Sequence, residues 1–207
     1  MLSQSSRQSL EQAAAKYQEA LFQHAAAHLY LEGRGITADV AAMFRLGYVD
    51  EPVLGDEQYV GRLSIPYITP SGVIDIRYRA LGAGEPKYMS RPGVSGHLYN
   101  VTALQTDSDV IALCEGEMDT IITNSRAGIP ALGVPGANAW KPHFARVLGD
   151  YQRIVLLCDG DQPGRDWGKR IAQTLENAVV VSMPDGMDVN EVFLREGADS
   201  IRKRAGL

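Results

Sequence analysis

From Val110 onward, the chain alternates short apolar runs with segments of helical spacing. The apolar runs are Val110–Cys114, Ala131–Val134, Ile154–Cys158 and Ala178–Ser182. Each run is continuous rather than alternating, which is typical of a parallel strand buried on both faces. Helices are expected from about Met118 to Ala127, from about Pro142, from about Pro163 to Asn177, and after Asp188. This alternation predicts a parallel sheet with helices on both faces.

The N-terminal part of the chain has a different pattern. Residues 3–31 contain strong helix formers and no Pro or Gly, and their apolar residues recur at helical spacing. They predict one long helix, which Gly33 and Gly35 end. Thr37 is expected to cap a shorter helix that runs through Phe44.

A basic hairpin follows. Arg62–Ile68 and Val73–Arg79 predict two strands around the turn Thr69–Gly72. Alternation in the second strand predicts one packed face and one charged face. The packed face would carry Ile74, Ile76 and Tyr78, and the charged face Val73, Asp75, Arg77 and Arg79.

The two patterns predict an α/β protein with two parts. Residues 1–106 would form a smaller α+β subdomain with the long helix 3–31 and the basic hairpin and loop 60–100. Residues 107–207 would form the parallel-sheet domain with a closing C-terminal helix. The polar stretch Leu104–Ser108 separates the two sequence patterns and marks the expected boundary.

The charge of the chain is informative only locally. A formal net charge of −5 gives no global sign of nucleic-acid binding. Between residues 62 and 91, however, basic residues outnumber the acidic residues Asp75 and Glu85. This basic stretch contains Arg62, Arg77, Arg79, Lys87 and Arg91. It is the part of the chain most suited to a polyanion, although a solvated face would have the same composition.

The cysteines and the N-terminus indicate the cellular compartment in which the chain is expected. Cys114 and Cys158 lie at the ends of predicted core strands, and buried free thiols fit a cytoplasmic chain. Two cysteines without a Cys/His cluster argue against a structural zinc site. No stretch is apolar enough for a membrane span, and the N-terminus is too polar for a signal peptide.

Acidic residues follow two of the predicted strands. Glu115-Gly116 and Asp119 follow the first, and Asp159-Gly160-Asp161 follows the third. The carboxyl ends of parallel strands meet at one sheet edge, where ligands usually bind. Clustered carboxylates repel one another unless a cation lies among them, and oxygen ligands suit magnesium. These residues therefore predict a magnesium site for phosphoryl chemistry.

Simpler interpretations stay open for single residues. Asp119 alone could complement the dipole of its own helix, and Asp159-Gly160 is also a common turn pair. A third acidic position, Asp188, strengthens the metal-site hypothesis. The chain contains neither a Walker A phosphate loop nor a nucleophile elbow, which disfavours P-loop ATPases and serine hydrolases.

These motifs resemble those of a known family. Glu115-Gly-x-x-Asp119 and Asp159-Gly-Asp161 with Pro163-Gly164 resemble the Toprim domain, which primases, topoisomerases and some nucleases share. Upstream segments resemble the RNA polymerase core of DnaG-type primases in the same order. These segments are residues 29–36, 44–48, 61–66, 85–90 and 98–100. The resemblance covers roughly residues 29–197.

The resemblance implies a Toprim fold, a Rossmann-like parallel sheet with flanking helices, and a role for each matching residue. Glu115 would lie at the catalytic metal site as a candidate general base. Asp159 and Asp161 would hold magnesium or manganese ions, and Asp188 would help to complete the site. Gly116, Asp119, Gly160 and Asn190 would support it.

The basic stretch completes the implied site. Arg79, Lys87 and Tyr88 would contact template or incoming nucleotide. Arg62, Arg77 and Arg91 from the same stretch are added as candidate nucleotide- and DNA-binding residues.

The implied activity is RNA primer synthesis from ribonucleoside triphosphates on single-stranded DNA. Asn190 stands where bacterial members usually carry aspartate, and this form resembles phage-type primases, which would place the chain in the host cytoplasm. The zinc-binding and helicase-binding domains of the family are not found in the sequence. A separate zinc-binding primase subunit and a replicative helicase are therefore considered as partners.

Two alternatives share the same residues. A Toprim nuclease would use the same metal site to cut DNA. A non-catalytic replisome or nucleic-acid-binding protein would retain the acidic residues only as a relic.

Overall fold

The computed structural model describes residues 2–93, 96–136 and 139–207. The chain divides into two compact units, Met1–Ser95 and Gly96–Leu207. Residues 94 and 95 of the predicted basic loop lie outside the described residues, and so do residues 137 and 138 of the loop after the second parallel strand.

The first unit packs helices on an antiparallel sheet. Its elements are α1 (Gln4–Gln23), α2 (Ala25–Glu32), α3 (Ala38–Met43), β1 (Gly47–Tyr48), β2 (Arg62–Thr69), β3 (Gly72–Ala80) and β4 (Tyr88–Ser90). The four strands pair in the order β1-β2-β3-β4. The apolar stripe of α1, including Leu10 and Tyr17, packs against Ile76 and Tyr78 of β3. This arrangement confirms the α+β class expected for the N-terminal part.

The prediction of one helix over residues 3–31 is wrong, because the helix breaks at His24. The residue adopts an extended conformation with φ −111° and ψ 99°, and its backbone N–H donates to the carbonyl of Leu21. The imidazole ring lies against Tyr48, with 3.9 Å between the ring centroids. No Pro or Gly marks the break, so a tertiary contact overrides the local helix propensity.

The predicted alternation of β3 is also wrong at its start. Val73 pairs with Ile68 and Asp75 with Tyr67, so Ile74 is an extra residue between the two pairs. An inserted residue of this kind reverses the direction of the preceding side chain relative to regular alternation. Val73 is accordingly buried in the core of the first unit.

The charged face of β3 is not a solvated surface. Asp75 is 6% exposed and Arg79 is 5% exposed, while Arg77 is half-buried. A buried charge needs partners. Asp75 Oδ1 accepts the backbone N–H of Ile76 at 2.7 Å, and Arg79 donates to tyrosine hydroxyls.

The second unit is the predicted parallel α/β domain. Its elements are β5 (Val110–Cys114), α4 (Glu117–Ser125), β6 (Ala131–Gly133), β7 (Arg153–Cys158), α5 (Gln162–Ala172), β8 (Ala178–Ser182), α6 (Val189–Glu196) and α7 (Ala198–Ala205). The four strands are parallel in the order β6-β5-β7-β8. The side chains of Ile111, Leu113, Ile154 and Leu156 are fully buried, which explains the continuous apolar runs.

Two helices differ from expectation. Pro142–Leu148 is a 3₁₀ helix. The closing helix is two helices, because Gly197 between them has φ +83°, a conformation that favours glycine and interrupts a helix.

The boundary between the two compact units lies at residues 95/96, before the polar stretch Leu104–Ser108 at which the sequence predicted it. Tyr99 and Gly133 exchange backbone hydrogen bonds of 2.8 and 3.1 Å, which attach the segment around Tyr99 to β6. The functional domain division at 106/107 stays a prediction. Within the described ranges, no helix is both long and apolar enough to cross a membrane.

Candidate active site

The carboxyl ends of two adjacent strands hold the first carboxylates. Glu115 follows β5 and Asp159 follows β7, and these strands pair directly. The backbone N–H of Asp159 donates to Glu115 Oε1 at 2.8 Å. The sheet edge therefore brings these two predicted site residues into contact.

Asp161 is held at the start of α5. It is the N-cap of this helix, and its Oδ1 accepts a hydrogen bond from the N–H of Gly164 at 2.8 Å. A Cβ on Gly164 would lie 2.5 Å from the carbonyl oxygen of Asp159 and 2.7 Å from Glu115 Oε1. Glycine at this position lets α5 begin directly against the acidic site.

The third acidic position caps another helix. Asp188 Oδ1 accepts from the N–H of Glu191 at 2.7 Å, and Glu191 Oε2 accepts from the N–H of Asp188 at 3.0 Å. This reciprocal capping box fixes the start of α6. Backbone bonds join this region to the Asp159–Asp161 segment, because the N–H of Gly160 donates to the carbonyl of Met187 at 2.8 Å.

Gly160 permits this close approach of two backbone segments. A Cβ there would lie 1.8 Å from the carbonyl oxygen of Pro184. The N–H of Gly186 also donates to the carbonyl of Gly160 at 2.9 Å. The glycine predicted as a supporting residue is therefore a steric requirement of the site.

Asp119 supports a neighbouring helix rather than only its own. The residue is 8% exposed, and its Oδ1 accepts from the N–H of Asn190 in the first turn of α6 at 3.1 Å. Asn190 is 1% exposed. A Cβ on Gly116 would lie 3.0 Å from Asp119 Oδ2. The four supporting residues named from the sequence all lie around the acidic strand ends.

The cluster changes the proton affinity of Glu115. Burial is the largest cause that raises the pKa of this carboxyl, and the negative charges of Asp161 and Asp119 raise it further. The N–H of Asp159 and the Arg170 guanidinium act in the opposite direction, and the pKa remains above its usual range. A carboxylate with raised proton affinity suits a general base.

The chemistry of these side chains fits a divalent cation. All donors in the cluster are carboxylate oxygens, and Asp161 and Asp119 lie close enough to raise the pKa of Glu115 by their charge. Within residues 2–93, 96–136 and 139–207, no group of three or more His, Cys, Asp or Glu side chains lies in a metal-holding arrangement. Glu115, Asp159, Asp161 and Asp188 are the residues that the sequence predicted to hold an ion, and this assignment stays a prediction.

Two of the basic candidates, Arg77 and Arg79, lie in a cation–aromatic cluster of the first unit. Arg79 donates hydrogen bonds to the hydroxyls of Tyr30 and Tyr88. The Arg77 guanidinium lies 4.4 Å from the centroid of the Tyr88 ring. Arg34 donates to the hydroxyl of Tyr30 at 2.8 Å. We call these five residues the arginine–tyrosine cluster.

A groove borders this cluster. It has a volume of about 370 Å³, and its lining includes Arg34, Arg79 and Lys87. The structure thus brings together Tyr88 and two of the basic candidates, Arg77 and Arg79, with a third, Lys87, exposed beside them.

Arg91 and Arg62 have other partners. Arg91 forms an ion pair with Asp56, which is 2% exposed and also accepts from the hydroxyls of Tyr17 at 2.7 Å and Tyr78 at 2.8 Å. Arg62 donates to the carbonyl of Pro86 at 2.7 Å. Both arginines hold the local structure in the described chain, and their nucleic-acid role remains a prediction.

The cysteines are structural. Cys114 and Cys158 are free and fully buried. Burial raises the pKa of both thiols, that of Cys158 to about 12, so neither is available as a thiolate.

Four residues beside these sites received no role from the sequence. Tyr30 and Arg34 belong to the arginine–tyrosine cluster, and Trp167 and Arg170 line a cavity beside Glu115. The second pair could have been found, because Pro163, Trp167 and Arg170 recur at helical spacing after the acidic motif. The first pair could not, because Tyr30 joins the basic candidates through Arg79, which is 49 residues away in sequence.

The class of the second unit follows from its parallel sheet and acidic strand ends. Residues 112–193 match the family model described as Toprim-like. This range runs from β5 into α6 and contains all the predicted metal-site residues. The second unit is a Toprim domain.

The relatives specify the family further. The Gene 57 protein of Mycobacterium phage D29 is 45% identical over 151 residues, covering 70% of this chain and 99% of the phage protein. A DNA primase of Pseudomonas aeruginosa is 29% identical over 232 residues, covering 92% of this chain and 34% of the primase. The chain spans about a third of the length of that bacterial primase.

A solved structure shares the fold across both units. The RNA polymerase domain of Mycobacterium tuberculosis primase DnaG has a TM-score of 0.81 and 23% identity, covering 100% of this chain and 84% of that one. The same domain has been solved with a double-stranded DNA oligomer that carries a 6-nucleotide overhang. The chain belongs to the DnaG-type primases with a Toprim domain, a family that generally uses divalent metal ions.

Proposed function

We propose that this chain is the catalytic core of a DNA primase, a DNA-directed RNA polymerase that makes short RNA primers on single-stranded DNA. One observation carries the proposal. The Toprim sheet places Glu115 in hydrogen-bond contact with the Asp159 backbone, next to Asp161, and the charges of these carboxylates interact. A cluster of this kind suits metal-assisted phosphoryl transfer.

The reaction would be a nucleotidyl transfer. The 3′-oxygen of one nucleotide forms a bond to the α-phosphorus of a ribonucleoside triphosphate, and the bond from that phosphorus to the bridging oxygen breaks. Pyrophosphate leaves with the electron pair. Glu115 takes the proton of the attacking hydroxyl, for which its raised pKa is suited.

The cation is proposed to be Mg²⁺ or Mn²⁺, with no zinc. When bound, it would neutralise the charge that develops on the phosphate oxygens. Asp159, Asp161 and Asp188 are the proposed ligands together with Glu115. Hard oxygen donors favour magnesium over metals that prefer thiolate or imidazole.

The arginine–tyrosine cluster is proposed to contact template or nucleotide. Arginine binds phosphate and stacks on aromatic rings, and tyrosine can stack on bases. The complex of the related mycobacterial domain with DNA supports this role. The likeness to a phage protein supports a phage-type enzyme, for which a replicative helicase and a separate zinc-binding subunit are proposed partners.

Primer synthesis on single-stranded DNA with labelled ribonucleoside triphosphates and Mg²⁺ or Mn²⁺ tests the proposal. Asp159→Asn and Asp161→Asn should each abolish most of the product. Asp185→Asn is the matched control, because its side chain is fully exposed and forms a surface ion pair with Arg165 at 3.5 Å. Product from both active-site variants at the level of the control would refute the proposal.

The same experiment separates the alternatives. Cleavage of labelled DNA without nucleotides, lost in Asp159→Asn, would indicate a Toprim nuclease. DNA binding that survives both substitutions, without synthesis or cleavage by the wild type, would indicate a non-catalytic protein with a relic site.

A further inference from the structure

The strand β8 is an open edge of the Toprim sheet. It pairs with β7 on one side, and no strand of the described residues pairs with its other side. Its sequence, Ala-Val-Val-Val-Ser, contains neither a charged residue nor proline. Proteins usually protect an exposed edge with a charge, a proline or a covering segment, because an unprotected edge pairs readily with another strand. Neither the acidic site nor the arginine–tyrosine cluster explains why this edge is left open.

The valines of β8 are exposed on both faces of the sheet. Val179 is 39% exposed and Val180 is 40% exposed. Successive side chains of a strand point to opposite faces, so these two valines leave apolar surface on each side of the edge. In β7, one strand further in, Ile154 and Leu156 are fully buried. A strand added beside β8 would cover its valines in the same way.

The backbone of β8 presents a regular set of groups at the open side. The N–H of Ile154 donates to the carbonyl of Asn177 at 3.1 Å, and the N–H of Met183 donates to the carbonyl of Cys158 at 2.8 Å. Alternate residues of a strand direct their backbone groups to the same neighbour, so the odd-numbered residues from 177 to 183 face β7. The even-numbered residues face outward. This outward set is Ala178, Val180 and Ser182.

The outward set is complementary to itself. If β8 of a second copy runs antiparallel with its Val180 opposite Val180, then Ala178 of each copy lies opposite Ser182 of the other. Each of these opposed pairs is of the type in which both residues exchange N–H···O bonds. All the outward backbone groups then find partners. The same surface serves both copies, as a closed two-fold dimer requires.

The charges at the two ends of β8 also suit a two-fold axis. Glu176 is exposed just before the strand. Arg165 of α5 lies near the other end, where it forms an ion pair with Asp185 at 3.5 Å. An antiparallel partner brings Glu176 of one copy towards the end that carries Arg165 in the other, and the same contact recurs across the axis. Opposite charges therefore approach at both ends of the paired strands.

We propose that β8 is a dimerisation edge, on which a second copy of this chain adds its own β8 in antiparallel orientation. The inference does not depend on the proposed primase function. Because the paired strands are antiparallel, the acidic strand ends of the two copies lie at opposite edges of the joined sheet, and each acidic site stays open. Two strands of five residues form a small interface, so the dimer is weak and depends on concentration.

The wild-type chain allows a direct test of the outward set. Sedimentation velocity, from low micromolar to several hundred micromolar protein, should show a rise from the mass of the monomer to that of the dimer. Amide hydrogen exchange followed by NMR should slow with concentration at Ala178, Val180 and Ser182. Exchange at Val179 and Val181 should not depend on concentration, because their N–H groups already pair with β7. Outward amides that exchange at the same rate at every concentration would overturn the proposal.

Charged substitutions of Val180 test the position of the axis. Val180→Lys and Val180→Glu should each weaken self-association about tenfold or more, because like charges would lie directly opposite each other. A mixture of the two variants should associate more tightly than either variant alone, since lysine then faces glutamate. Val147→Lys is the matched control. Val147 is 50% exposed in the same unit but lies outside β8, so this variant should associate like the wild type.

The remaining outcomes are equally specific. A chain that stays monomeric at every concentration, or an association that Val180→Lys and Val147→Lys weaken equally, would overturn the dimerisation edge. A mixture of Val180→Lys and Val180→Glu that associates no better than its components would overturn the two-fold register. A monomeric chain whose outward amides slow only when an extended peptide is added would make the partner a peptide instead of a second copy. If the Val180 variants fail to fold, as circular dichroism would show, the exchange experiment on the wild type decides.

Discussion

The acidic site of the Toprim domain and the arginine–tyrosine cluster of the first unit are built by different kinds of contact. Asp161 and Asp188 each accept a backbone N–H three residues further along the chain, at 2.8 and 2.7 Å. Arg79 instead donates to the side-chain hydroxyl of Tyr30, which is 49 residues away in sequence.

This difference determines how each site depends on the fold. Helix capping is local, so a short motif sets the direction of the carboxylate once the strand and helix form. The complete cluster exists only after α2 and β3 have packed, because Arg79 of β3 contacts Tyr30 of α2. We therefore expect the acidic site to be sensitive to backbone changes and the basic cluster to be sensitive to side-chain changes.

The largest effect should come from Gly160→Ala. Its Cβ would meet the carbonyl oxygen of Pro184 at 1.8 Å, and two backbone segments would have to separate. We expect a loss of about 3 kcal/mol or more in the free energy of unfolding, and loss of primer synthesis. Urea unfolding and the primer assay measure both.

Gly149→Ala is the control for that substitution. It lies in the same unit with an ordinary φ of −64°, and its Cβ would meet nothing closer than 3.7 Å. Its stability should stay within about 0.5 kcal/mol of the wild type. If both alanines had similar effects, the close approach at Gly160 would not be a requirement of the site.

A second large effect should come from Asp56→Ala in the first unit. Burial raises the pKa of Tyr78, so its hydroxyl stays protonated and donates to Asp56, as does the hydroxyl of Tyr17. Removal of the carboxylate leaves Arg91 without its ion-pair partner, which should cost about 3 kcal/mol. Thermal and urea unfolding measure the loss.

The surface ion pair of Lys16 and Glu51 is the control. Lys16 Nζ lies 3.4 Å from Glu51 Oε2, but the Glu51 side chain is 82% exposed. Glu51→Ala should change the free energy of unfolding by less than about 1 kcal/mol. A comparable loss in both variants would contradict a special role for the buried network.

The same contrast explains what the sequence could predict. The parallel sheet and the positions of Glu115, Asp159 and Asp161 were predictable, because continuous apolar runs and acidic strand ends are local patterns. The helix break at His24 and the displaced Val73 were not. The first depends on a ring contact with Tyr48 and the second on strand register.

Burial of charge was the other limit. The pattern of β3 predicted a charged face that carries Arg79, and it gave no sign that this side chain is only 5% exposed. The alternation of residues along a strand gives the face on which a side chain lies. It does not show which other elements cover that face. Two tyrosines of other elements cover Arg79. They are Tyr30 of α2 and Tyr88 of β4.

Asn190→Asp should have an intermediate effect on the acidic site. The residue is 1% exposed and its backbone N–H binds Asp119, so the new carboxylate would be buried beside an existing one. We expect a loss of about 1–3 kcal/mol in the presence of a chelator, because burial and the neighbouring charge disfavour ionisation. Added Mg²⁺ should restore part of the loss, which a melting series against Mg²⁺ would show. A loss unaffected by Mg²⁺ would place Asn190 outside the ion-binding set.

A smaller effect is expected from Tyr30→Phe in the basic cluster. The substitution removes a hydroxyl that accepts from both Arg34 and Arg79 and keeps the ring. It should cost about 1 kcal/mol in the free energy of unfolding, because a hydrogen-bond acceptor is lost. It should also weaken single-stranded DNA binding, because the Tyr30 hydroxyl no longer orients the guanidinium groups of Arg34 and Arg79. Tyr151→Phe is the control, since its hydroxyl makes no hydrogen bond in the described chain. Unchanged DNA binding in Tyr30→Phe would separate the cluster from nucleic-acid recognition.

The smallest effect should be a pH-dependent gain from Glu115→Gln. Burial, followed by the charges of Asp161 and Asp119, raises the pKa of Glu115 above its ordinary value of 4.5. The folded carboxyl therefore holds its proton more tightly than the unfolded one, so its contribution to stability is full below the ordinary pKa and falls as pH rises through the raised one. Glutamine removes the charge and keeps an oxygen that can accept the N–H of Asp159.

With a chelator present at neutral pH, Glu115→Gln should therefore have a higher melting temperature than the wild type. The gain in the free energy of unfolding should be less than about 1 kcal/mol. The margin should vanish as the pH approaches 4.5, where the wild-type carboxyl is protonated. Melting temperatures measured from pH 4 to 8 give the margin directly. With Mg²⁺ at neutral pH the order should reverse, since only the wild type keeps the full set of carboxylates. A wild type that is more stable at neutral pH without metal would mean that the charge of Glu115 is compensated within the domain, and the acidic site would then need no cation.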